Sequence, residues 1–213
     1  LSVLTKSALG VTLAVVAGLS FAQAKEEVTF AHRDMVFPYR TVMESGDLEK
    51  TTGYKINWRM FGGGGDSIDL DASAIVFDEN NKALDSIWFG QLQSRDGSIK
   101  HSGDNRTGDG AGDDEAIHVD LTQVPSQVKS IVFTISSFRG QTFEKVENAF
   151  CRVVDATTNV EIAKYNLSAK GNYTALIIAK VYRHNGAWKM SALGETCNGK
   201  TIQDMVPSIL PIL

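Results

Sequence analysis

The sequence predicts an all-β domain, a two-sheet β-sandwich with a short C-terminal helix, preceded by an N-terminal segment of a different character. Three observations lead there. From residue 67 onward, apolar runs with a period of two recur at intervals of roughly 8–12 residues. The turn signals Asp78-Glu79-Asn80-Asn81, Arg95-Asp96-Gly97-Ser98 and His184-Asn185-Gly186 separate several of them. An acidic, glycine-rich loop over 102–115 interrupts the series.

In the first predicted strand, Ile68, Leu70, Ala72, Ala74 and Val76 alternate with Asp69, Asp71, Ser73 and Ile75, the signature of a half-buried strand. Residues 84–92 read as its returning hairpin partner. After the acidic loop, 116–121 is a short strand, and the β-branched run 130–136 suits a strand buried on both faces. Residues 142–148 carry short helical character. Further strands are predicted over 149–155, 161–167, 175–183 and 187–193, the last two joined by the tight turn at Asn185-Gly186. The tail 201–210 reads as an amphipathic helix capped by Thr201 and closed by Pro211.

The N-terminus differs. Residues 1–24 read as a secretory signal peptide, with Lys6, an apolar stretch over 8–22 and the small-x-small site Ala22-Gln23-Ala24. The apolar run is too short for a transmembrane helix. Residues 25–61 follow a βαβ-like order, with strands near 28–30 and 54–58 around a helical pattern over 39–48. A glycine-rich junction over 62–66 precedes the β domain of 67–213; it reads as a flexible linker, and no Gly-Lys-Ser/Thr follows to make a phosphate loop.

The chain of 213 residues suits one domain, or one with an extension, and its 43% hydrophobic and 22% charged residues are those of a globular protein. The formal net charge of -4 gives no reason to expect nucleic acid as a partner. Its distribution says more. Asp104, Asp109, Asp113, Asp114 and Glu115 against Arg106 give the loop the whole of the chain's -4, so the remainder is neutral. Cys151 and Cys197 lack metal-site spacing and read as two buried small hydrophobes, with a disulfide as the alternative in an exported chain.

Two constellations carry chemistry. Asp69 and Asp71 share one face of a strand, where their repulsion costs stability unless a bound cation offsets it; a solvated strand face is the alternative. The loop offers carboxylate, amide and carbonyl oxygens, with glycines that let the backbone turn several inward. Calcium, with six to eight oxygen ligands, fits this set better than magnesium or zinc. A solvated acidic loop again stands as the alternative. The loop is not an EF-hand: counted from Asp104, Glu115 falls at position 12, but Arg106 and Gly108 occupy ligand positions 3 and 5, and Asp109 replaces the glycine at 6.

The strings GGGGDSIDLDASAIVFDENNKALDSIWFGQL, DGSIKHSGDNRTGDGAGDDEAIHVDLTQVP, SSFRGQTFEKVENAFCRVVD, YNLSAKGNYTALIIAKVYRHNGAWKMSALGE and GKTIQDMVPSI resemble, in order, the TerD family, its TerZ-like members in particular. The resemblance runs from Gly63 almost to the C-terminus. It implies a two-sheet sandwich with calcium sites at one end, in proteins linked to tellurite resistance and stress response. The implied ligands are Asp69, Asp71, Asp104, Asn105, Asp109, Asp113, Asp114 and Glu115, with Gly108 as a carbonyl donor. Many members have an acid where this chain has Ala111, which implies one ligand fewer. Arg139-Gly140-Gln141-Thr142-Phe143 also matches the family, with no chemistry attached; a structural turn is the plain reading.

VTFAHRDMVFPYRTVMESGDLEKTTGYKINWRMFGGGGD resembles instead the start of a periplasmic solute-binding protein of the taurine or sulfonate transport family. On that reading residues 25–61 are a fragment of such a receptor, and the sandwich lacks its own first strands, leaving a sheet edge unpaired. The expected function is a calcium-binding stress-response protein that presents a metal-shaped surface to protein partners. The alternatives are a fragment or fusion of a sulfonate-binding transport protein, and a carboxylate-dependent enzyme, for which the chain shows no nucleophile elbow or cofactor fingerprint. The TerD resemblance implies the cytoplasm, whereas a working signal peptide implies the periplasm.

Overall fold

Stretches in which apolar and polar residues alternate, and stretches apolar throughout, determine how deep each strand lies in the sandwich. A computed structural model describes residues 29–30, 55–61, 68–104, 114–146, 149–167 and 171–213. The strands are β1 (Thr29–Phe30), β2 (Lys55–Phe61), β3 (Leu70–Phe77), β4 (Ala83–Ile87), β5 (Ile99–His101), β6 (Glu115–Asp120), β7 (Ser130–Ser137), β8 (Phe150–Asp155), β9 (Val160–Asn166), β10 (Ala175–His184) and β11 (Ala187–Cys197). Helix α1 spans Ile202–Ile209. Among the described residues, one sheet has the order β1-β9-β8-β2-β6-β5 and the other β11-β10-β7-β3-β4. All pairings are antiparallel except that of β1 with β9. The signal-peptide-like stretch, the helical pattern over 39–48 and the glycine-rich junction lie outside the described residues.

The main core fills the space between the sheets. Strand β2 contributes Ile56, Trp58 and Met60 to it, alternating with Lys55, Asn57 and Arg59. Trp58 stacks on Phe133 of β7 with ring centroids 4.9 Å apart, joining the two sheets face to face. The sequence placed this stretch in a receptor-like fragment and expected the sandwich to lack a strand. Instead β2 pairs with β6 on one side and β8 on the other, so no edge opens at that place.

A second, smaller core lies on the outer face of the five-stranded sheet. Ile202, Met205 and Ile209 of α1 cover Ile75 and Phe77 of β3, Val132 of β7 and Ile177 of β10. Thr201 caps the helix in a capping box with Asp204. This layer corrects the expectation for β3. The alternation predicted a half-buried strand, yet every residue from Leu70 to Phe77 is buried, and the helix is what closes the second face over Ile75 and Phe77. Strand β7, also central and under the helix, is buried throughout, as its apolar run implies.

The predicted return strand over 84–92 stops at Ile87. The chain reverses at Trp88, whose carbonyl accepts the Gln91 N–H at 2.9 Å. The helical character of 142–148 reduces to a single 3₁₀ turn, Phe143–Lys145. The β10–β11 hairpin closes through Asn185 and Gly186, with φ of 52° and 80°, the left-handed pair a two-residue turn needs. Cys151 and Cys197 are both free and buried, the first in the main core and the second beneath α1. Among the described residues no helix is long and apolar enough to cross a membrane.

Because Met205 is fully buried between α1 and the sheet, Met205→Ala is expected to lower unfolding stability by about 2–5 kcal/mol. Urea denaturation of the two proteins measures this directly.

Candidate metal centre

Asp69 immediately precedes β3 and Asp71 is its second residue, so the two carboxylates share one face, with Leu70 turned into the main core. Asp104 arrives from the chain that leaves β5. Oxygens of Asp69, Asp71 and Asp104 all lie within 4.8 Å of one another. Asp71 is only 4% exposed, and among the described residues its Oδ2 has no hydrogen-bond partner. A buried carboxylate oxygen left this way is expensive, and a cation is the partner that removes the cost.

The electrostatics agree. Burial, then the nearby charges of Glu115, Asp69 and Asp104, push the Asp71 carboxyl up to about 7, while a hydrogen bond from the Phe138 backbone pulls weakly the other way. Asp69 also meets a cation of the protein itself, Arg139, whose Nε stands 3.7 Å from its Oδ2. Arg139 belongs to the Arg139-Gly140-Gln141 string that the sequence left without chemistry. The string forms a turn, with the Gly140 N–H bonded to Ser137 O and Gly140 at φ 74°. That turn brings the guanidinium to the rim of the acidic cluster, and only the three-dimensional fold reveals the encounter.

Glu115 occupies a different position. It is buried at the start of β6, and its Oε2 accepts the Ala72 N–H at 2.8 Å. His101, the last residue of β5, places Nε2 3.1 Å from Ala72 O and 3.5 Å from Glu115 Oε2, while its Nδ1 accepts the Gly103 N–H. The reason is local. Strand β4 ends at Ile87, opposite Ala74, so among the described residues Ala72 has no strand on that side. Glu115 and His101 stand in for the missing strand. His101 was absent from the residues selected by sequence. The stems of the acidic loop close together here, with Ser102 N bonded to Ala116 O and Ala116 N to Ser102 Oγ, both at 2.8 Å. Asp114 precedes Glu115, its backbone N–H bonded to Met60 O. Asn105, Gly108, Asp109 and Asp113 lie outside the described residues.

A family model, the TerD domain, matches residues 44–208. The chain belongs to the TerD family. Its members include tellurium-resistance and stress-response proteins, and the TerD match begins ahead of β2, in agreement with the central place of that strand. The chain is 51% identical to the tellurium resistance protein TerZ of Serratia marcescens over 148 residues, covering 70% of this chain and 76% of the relative. It is 44% identical to the stress response protein SCP2 of Bacillus subtilis (strain 168), over 70% of this chain and 78% of that one. Among solved structures, a homologue of the telluride resistance protein TerD from Streptomyces coelicolor A3(2) superposes with a TM-score of 0.64 at 18% identity. That match covers 72% of this chain and 95% of the other, and shows that the two share the sandwich.

A raised Asp71 carboxyl has a definite consequence for the metal-free TerD domain. Proton binding favours the folded state, so the stabilisation is complete below the unfolded value of 3.8 and is lost as pH rises through about 7. Asp71→Asn, which mimics the protonated group, is therefore expected to melt above wild type in EDTA at pH 8. The gain should shrink as pH falls through 7 and vanish near 4, as a series of thermal melts would record.

Proposed function

We propose that this TerD-family protein is a calcium-binding module of the stress and tellurium response, and not an enzyme. The observation that carries the reading is the unpartnered, buried oxygen of Asp71 facing two further carboxylates. The all-oxygen donor set suits a hard cation. A neighbouring loop rich in further oxygens favours calcium, which takes six to eight, over magnesium, which demands a strict octahedron and keeps more water. Asp69, Asp71 and Asp104 would hold the cation, with oxygens of the acidic loop completing its shell. The bound ion would neutralise the cluster and shape the end of the sandwich as a surface for protein partners of a stress-response assembly.

The chemistry of the other reactive groups supports a binding role. Cys151 and Cys197 are buried, with the first thiol pushed well above its ordinary range and the second up to about 11, so neither supplies a thiolate nucleophile near neutral pH. The carboxylates converge on one another, an arrangement suited to a divalent cation.

Calorimetric titration of the full chain with calcium tests the reading. Saturable binding at one or two sites is expected, together with a rise in melting temperature that EDTA reverses. Asp71→Asn should lose most of the affinity. Silence up to millimolar calcium in the wild-type chain would overturn the proposal.

A further inference from the structure

We propose that Glu115 and His101 position the calcium site by gripping the backbone of Ala72, with Glu115 acting as a support behind the ion and not as one of its ligands. The inference rests on the calcium reading above and assigns roles within it.

The geometry that points there is specific. Ala72 lies directly after Asp71, and both its backbone groups turn away from β7 toward the side that β4 fails to reach. Glu115 Oε2 takes the Ala72 N–H, and His101 Nε2 lies within hydrogen-bonding reach of the Ala72 carbonyl. The Gly103 N–H at Nδ1 leaves the ring's proton on Nε2, aimed at that carbonyl. These two side chains also mark the two ends of the acidic loop: His101 closes β5 before it and Glu115 opens β6 after it. One residue of the Asp71 strand is thus tied to both stems of the loop that delivers Asp104. The tie fixes the distance between the strand carboxylates and the loop carboxylate. Outer groups of this kind orient ligands and tune affinity without touching the ion.

Two substitutions separate support from ligation. Glu115→Gln keeps an oxygen acceptor for the Ala72 N–H, whereas Glu115→Ala removes it. With europium(III) as the probe, luminescence lifetimes in H2O and D2O count the waters bound to the ion. The expected result is the same count for wild type and Glu115→Gln. In metal-free protein, amide exchange at Ala72 should stay slow in both and become fast in Glu115→Ala. Calcium affinity in Glu115→Ala should fall at least about tenfold by calorimetry. An added bound water in Glu115→Gln would make Glu115 a ligand and overturn the inference. Unchanged calcium affinity in a folded Glu115→Ala would overturn it too, by reducing the contact to a structural one. Absence of calcium or europium binding by the wild-type chain is a separate failure, which removes the calcium reading and this inference together.

Discussion

Strand β3 lies between two layers of side chains, the sandwich core against Leu70, Ala72, Ala74 and Val76, and helix α1 against Ile75 and Phe77. Water is excluded along its whole length. An aspartate in such a strand cannot be solvated, and Asp71 is held there by the apolar residues around it. Everything at that end of the molecule responds to the constraint. The Asp71 carboxyl is driven toward its protonated form, and Asp69 and Asp104 crowd the same space. Arg139 stands beside Asp69 at the rim. The helix closes the other end of the same face of β3, over Ile75 and Phe77.

The same burial explains which parts of the architecture could be read from the chain. Local signals were legible: the Asn185-Gly186 hairpin, the Thr201 cap and the unbroken apolar run of β7 depend on neighbours a few residues away. The alternation in β3 was legible as a strand, but its depth was not. The residue types on its second face, Asp71 and Ser73 beside Ile75 and Phe77, do not announce that the whole face will be buried, or that a C-terminal helix will cover its apolar end. Strand β2 shows the converse. Its Ile56, Trp58 and Met60 alternate plainly with Lys55, Asn57 and Arg59, yet its partners β6 and β8 are remote in sequence. Likeness to another protein then drew the stretch away from the sandwich it completes.

Within the site, Asp69 and Asp71 could be placed on one face by spacing alone, and an acidic glycine-rich loop suggested the oxygens to face them. Separating supports from cation-facing groups was out of reach for a sequence. Glu115 looks like any other acid of the loop until the Ala72 N–H is found on it, 43 residues away in the chain. His101 carries no motif; only the early end of β4 creates the vacant backbone it serves. Arg139 is reached through a turn whose glycine has a positive φ, a feature that spells turn without naming what the turn delivers.

The central position of β2 bears on how the domain is assembled during synthesis. Among the described residues it is the first of the sandwich strands after the short β1, but it belongs between two strands made much later, β6 and β8. As the chain leaves the ribosome, β2 must therefore wait with both hydrogen-bonding edges open until β6 emerges, and with one edge open until β8 follows. Of the other sheet only the β3–β4 hairpin can close early; β7, which carries the Phe133 that Trp58 stacks on, is made after β6, and β10 and β11 follow β8. A chain trimmed at the glycine-rich string would lack the strand altogether. It would leave β6 and β8 facing each other across a gap, with two raw edges inviting a strand from another molecule.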